Sequence, residues 1–217
     1  VKKLTLSSAV MLERRGTDPI KRRGSRQSRI PEIIDVSINV LVAAGYAGYT
    51  INRVANDAGI RLSTLQHYFS TRETLLRATI EEIARRYLQR FRHFTDNKSH
   101  SPQARLEAIV DDAFVQLTKP GPPAAILESW GLALHEPFAR DVVLEMQKQF
   151  TQLFADLVGE INPGLSSAEC ELRGALIVSS LEGLVVFLQW SKDTALKLEV
   201  YRNAVKVVWS GLSRAGD

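Results

Sequence analysis

The chain has 217 residues, 45% of them hydrophobic and 24% charged, with a formal net charge of +4. That is enough for one large or two small globular domains, and it is not the composition of a disordered or fibrous chain. A single cysteine, Cys170, excludes an internal disulfide and a multi-thiolate metal site, and it fits a reducing cytoplasm in which it packs as a small hydrophobe.

The charge is uneven. Residues 1–94 hold 17 Lys+Arg against 8 Asp+Glu, a net +9, and residues 95–217 hold 11 against 16, a net −5. A basic front and an acidic back predict one part that meets a polyanion and another that does not. The start, VKKLTLSSAVML, imitates a secretory signal, but Thr5, Ser7 and Ser8 interrupt its apolar run and Glu13-Arg14-Arg15 follow, so no signal is expected. Met11 offers an alternative start, which would make residues 1–10 dispensable. Residues 14–29 carry seven Lys/Arg against one Asp and read as a flexible basic arm, either a solvated tail or an arm that follows DNA phosphates.

The periodicity predicts an all-α protein with no strand, in three parts: the arm (1–29), a helix-turn-helix unit (30–76) and a helical effector-binding and dimerisation part (77–217). Helix 1 is expected from Pro31 to Ala44, stopped by Gly45, with Ile34, Ile38, Leu41 and Val42 inward. Thr50 is the expected N-cap of helix 2 (51–58), Gly59 its terminator, and helix 3 covers about 62–68. Ser70 and Glu73 have capping-box spacing for a long fourth helix that links front to back and frays near 95–103. Five more helices are expected at about 102–118, 123–135, 137–161, 166–190 and 194–213, with Pro120, Pro122, Pro123, Pro137 and Pro163 at their junctions. The apolar run 174–190 carries Glu182 near its centre and reads as a buried helix rather than a membrane span.

The stretch ANDAGIRLSTLQHYF breaks one helix at Gly59 and starts another within three residues, the pattern of a helix-turn-helix. Ile60, Leu65 and Phe69 are placed to reach a core, leaving Arg61, Ser63, Thr64, Gln66 and His67 as a polar face able to read major-groove donors and acceptors. Arg72 falls in the first turn of the next helix, where a cation opposes the helix dipole unless a phosphate sits there.

This stretch closely resembles the TetR family of transcriptional regulators, through Thr50, Val54, Ala55, Ala58, Gly59, Ile60, Thr64, Leu65, Tyr68, Phe69, Thr71, Arg72 and Leu75, over about residues 30–78. The resemblance implies a dimer whose N-terminal units read a palindromic operator, most often as a repressor, and whose C-terminal helices bind a small-molecule effector. With the polar face of helix 3, which supplies Arg61, Ser63, Thr64, Gln66 and His67, the resemblance through Thr50, Thr64, Tyr68, Thr71 and Arg72 completes the residues nominated for DNA. Arg61 stands where the family commonly has a Ser cap, and Gln66 where it commonly has a phosphate-contacting Tyr; an amide there can reach adenine N6 and N7.

In the back half, Phe114, Trp130, His135, Phe150, Phe154 and Phe187 are candidates to line a largely apolar effector pocket, with Glu128 and His135 able to orient a polar group. The last two helices carry more apolar residues than one monomer face can bury, so Leu181, Gly183, Leu184, Phe187, Val205, Val208 and Trp209 are nominated for a four-helix dimer interface. No H-E-x-x-H, G-x-S-x-G, P-loop or Rossmann fingerprint is present, and His67, His93, His100 and His135 lack metal-ligand spacing. Neither catalysis, a metal nor a cofactor is therefore expected. An all-helical enzyme or lipid carrier and a nonspecific DNA-packaging protein are the alternatives.

Overall fold

The computed structural model describes residues 26–119, 121–190 and 198–214. Among these residues the regular structure is entirely helical: α1 Arg26–Gly48, α2 Ile51–Asp57, α3 Leu62–Tyr68, α4 Arg72–Thr95, α5 Pro102–Leu117, α6 Gly121–Ala133, α7 Pro137–Ile161, α8 Ser167–Trp190 and α9 Leu198–Arg214. The basic arm up to residue 25 and the expected start of the last helix at 194 lie outside the described residues.

Helix starts differ from the sequence reading at α1, α4 and α6, the last beginning at Gly121 instead of about 123 and taking Pro122 and Pro123 into its first turn. α1 runs through Pro31 instead of starting there, because proline's fixed φ suits a helix and its missing N–H forfeits only one bond so near the N-terminus. Gly45, at φ 63°, still breaks the helical path where expected. α4 is capped by Thr71, not Ser70: the Thr71 hydroxyl accepts from Thr74 N–H and Thr74 reaches back to Thr71 N–H, both at 3.1 Å. Threonine at N3 closes the box as Glu73 would have done, and this leaves Arg72 as the first helical residue.

α2 ends as the sequence requires. Gly59 takes φ 64°, its N–H donates to Asn56 O and Ile60 N–H reaches back to Ala55 O, each at 3.0 Å, which is a Schellman closure. Ile34, Ile38 and Leu41 of α1 then pack with Val54, Leu65, Phe69, Leu75 and Ile80 in one cluster. This cluster does not close at the expected domain boundary. Leu132 of α6 with Phe138 and Val143 of α7 belong to it, so the head rests on a platform supplied by the body. Among the described residues, α1 alone has the length and apolarity to cross a bilayer, and Ile33, Ile34, Ile38, Val40 and Leu41 of it are buried in this core.

A second cluster, around Phe154, Leu157, Ile177 and Trp209, fills the body. α7 and α8 approach so closely that a Cβ on Gly174 would stand 2.7 Å from Thr151 O and 2.8 Å from Ala155 N. Arg105, 3% exposed, bonds Thr95 O at the end of α4 and pairs with Glu160 of α7. The Trp209 indole N–H reaches Ser180 Oγ at 3.1 Å.

The apolar excess of the last two helices divides. Leu181, Leu184, Val205 and Trp209, nominated for the dimer interface, turn into the protomer's own core, Trp209 with no exposed surface. α8 is apolar on all sides, so its stripe alone does not say which side faces out; on α9 the i, i+4 pair Val205 and Trp209 points in while Val207 and Val208 point out. Gly183, Val186, Phe187 and Trp190 on α8 and Val200, Val207 and Val208 on α9 remain exposed.

Candidate nucleic-acid interface and buried cavity

α3 is seven residues long and buries Leu65 completely. Phe69 beyond its C-terminus is also buried, and Tyr68 is half-buried against the head's core. These anchors leave Arg61, Ser63, Thr64, Gln66 and His67 exposed on the remaining surface. Arg61 gives the helix no side-chain cap, so its guanidinium is not engaged there. Donors, acceptors and one cation thus share a face held from behind by apolar contacts, the arrangement that groove reading needs. Thr50 and Thr71 are exposed at the starts of α2 and α4, and each caps its own helix.

Arg72 is occupied internally. Its Nε donates to Tyr49 O, and its two terminal nitrogens donate to Tyr46 OH and Tyr46 O, all at 3.1 Å. Its guanidinium lies 4.3 Å from the Tyr46 ring centre. This clamp explains how a cation is tolerated at a helix N-terminus: two carbonyls and an aromatic face offset the dipole. Beneath it, Thr79 spends its proton on Leu75 O at 2.7 Å, so Ser37 donates to Thr79 at 2.6 Å and Tyr49 OH donates to Ser37 at 2.5 Å. Burial raises the Tyr49 phenol above its usual range, which keeps it a donor. The chain of hydroxyls fixes α1, the Tyr49 turn and α4 to one another.

Sequence reasoning missed the body's hold on this turn. Glu128 of α6 accepts from Tyr46 N–H at 2.9 Å, and Glu136, just before α7, accepts from Tyr46 OH at 2.5 Å. Glu128 therefore serves the head rather than a ligand.

α6 also walls a cavity of about 570 Å³, its open mouth included, between α4, α5, α7 and α8. Of the six residues nominated for a pocket, Trp130 and Phe150 line it. Phe154 is packed between Phe91 and Trp209, and Phe114 and Phe187 flank Tyr201 elsewhere. His135 is exposed in the turn before α7. The stripes that located these aromatics do not distinguish core filling from a cavity wall. Tyr87, Arg90, Phe91 and Glu182 line the cavity without having been nominated. Tyr87 OH and Trp130 Nε1 are buried without a hydrogen-bond partner among the described residues, and burial pushes the Tyr87 phenol far above its ordinary range.

Residues 33–79 match the family model for bacterial regulatory proteins of the tetR family. The HTH-type transcriptional regulator BetI of Burkholderia thailandensis is 26% identical over 162 residues, covering 74% of this chain and 82% of that protein. Among solved structures, a TetR transcription regulator from Haloarcula marismortui superposes with a TM-score of 0.71 at 21% identity, over 85% of this chain and 98% of the other. The regulator FadR from Bacillus subtilis, in complex with stearoyl-CoA, gives 0.64 at 19% identity, over 86% and 99%.

Proposed function

The chain is a transcriptional regulator of the TetR family, and from that premise we propose that it acts in the cytoplasm as a homodimeric repressor of a palindromic operator, released by a small molecule in the cavity. The observation that carries the reading is α3, whose Arg61, Ser63, Thr64, Gln66 and His67 are exposed while Leu65 is fully buried. Pairing through α8 and α9 is supported by their exposed apolar surface, with Trp190 81% and Val207 73% exposed; such a patch asks for a partner. Two copies related by a two-fold axis would present two α3 helices to successive major grooves.

The release route follows from α6. Ile126 and Trp130 line the cavity, while Glu128, between them in sequence, holds Tyr46 in the head. A ligand that fits the cavity better when α6 is displaced would loosen Tyr46, and with it Arg72 and the start of α4, by its difference in affinity for the two states.

Footprinting on DNA flanking the protein's own gene tests the reading. A short two-fold symmetric protected region is expected at moderate salt. Uniform weak protection of any duplex would point to nonspecific packaging instead.

A further inference from the structure

The charges around the cavity do not cancel. Arg90 and Asp112, both in its wall, form a two-pronged ion pair closed on itself. Glu182 of α8 is the other charged lining residue, half-buried, and its one hydrogen bond is from Gln147 Nε2 at 3.0 Å, with no cation on it among the described residues. Tyr87, Phe91, Trp130 and Phe150 line the same cavity, and an uncompensated carboxylate in an aromatic-lined cavity favours a cation and disfavours an anion. Two of its lining residues, Tyr87 and Trp130, carry buried donors, Tyr87 OH and Trp130 Nε1, with no hydrogen-bond partner among the described residues. Buried donors of this kind cost free energy until an acceptor arrives.

Resting on the reading of this cavity as the effector site, we propose that its ligand class is a largely apolar primary or secondary amine bearing an ether or carbonyl oxygen. Its ammonium donates to Glu182 and its oxygen accepts from Tyr87 OH and Trp130 Nε1. Neutral apolar compounds of the same shape fill the space without the charge contact. Carboxylates meet Glu182 and find Arg90 already paired.

Calorimetric titration of the full chain with para-methoxyphenylbutylamine and with its matched alcohol and carboxylate tests this. The amine is expected to bind about tenfold more tightly than the alcohol, as a charge-assisted hydrogen bond implies, with the carboxylate weakest. E182Q should erase the amine's advantage and leave the alcohol unchanged. Q147K should do the same without removing the carboxylate, by giving it an internal cation, so a folding defect in one variant does not blunt the test. Removing the methoxy oxygen should weaken the amine severalfold in the native protein and have no effect in the double variant Y87F, W130F. Amine and alcohol binding equally, or a preference that survives both charge variants, would overturn the ligand class while leaving the cavity as the effector site. Binding by none of the series would overturn both.

Discussion

α3 and α8 treat their surfaces in opposite ways. α3 buries one leucine and exposes polar side chains around it, whereas α8 buries Ile177, Leu181, Leu184 and Leu188 and still exposes Leu172, Leu176, Phe187 and Trp190. A polar exposed face held rigidly from behind suits a polyanion with donors and acceptors of its own. An apolar exposed face suits removal from water by a second protein surface. One chain therefore offers two surfaces of different chemistry, and the contacts from Glu128 through Tyr46 to Arg72 tie α6 of the body to the head.

The largest effect is expected from breaking the α8/α9 face. Phe187→Glu with Val208→Glu places two charges where the side chains are about half exposed, so the protomer should stay folded while sedimentation reports a monomer. Operator affinity should then fall roughly a hundredfold or more, because the second half-site no longer contributes. An unchanged mass would show that pairing lies elsewhere.

Two glycines on α8 sharpen the inward and outward sides of the same helix. Gly174→Ala should lower stability by about 2 kcal/mol, seen as a reduced Tm, because its Cβ meets backbone atoms that cannot move aside. Gly183→Ala meets nothing within 4 Å among the described residues, so its helix propensity should raise the protomer's stability by up to about 1 kcal/mol, seen as a higher Tm.

On α3, Thr64→Ala and Gln66→Ala remove exposed groups and should leave Tm alone. Loss of a base contact should cost about 1–3 kcal/mol against the operator and little against random duplex, measured by competition titration. Arg72→Lys keeps the charge and loses the planar fork. Operator binding should weaken through a mispositioned α4 while the slope of affinity with salt stays the same; a flatter slope would make Arg72 a phosphate contact instead.

The smallest effect is a pH dependence far from the DNA face. A hydrogen bond from Arg105, reinforced by Lys98, holds the Glu160 carboxyl below its usual range. That stability is fully present at neutral pH and is lost as pH falls through the lowered value in the folded state. Glu160→Gln should flatten the acid limb of a stability–pH profile, modestly, since Glu160 is partly solvated.

The helices and the exposed polar face of α3 were legible because local chemistry sets them: Gly59 needs φ > 0, Thr50 caps, and Leu65 falls on the inner side of a short helix. The back half was legible as helices but not as surfaces. A helix apolar on every side gives no phase, so α8 does not show in sequence that Leu181 and Leu184 face inward; α7 does have a stripe, but a stripe does not separate a core residue such as Phe154 from a cavity wall. The clamp was illegible for another reason. Tyr46 and Glu128 are 82 residues apart, and no local pattern predicts such a pairing.

The most direct test is selection of duplexes from a randomised pool by the full chain at about physiological salt, followed by sequencing. A palindrome with half-site centres about one helical turn apart, or a multiple of it, is expected, since it requires both the α3 face and two-fold pairing through α8 and α9. Enrichment of a single asymmetric half-site would contradict the pairing, and no enrichment at all would contradict α3 as the reading surface.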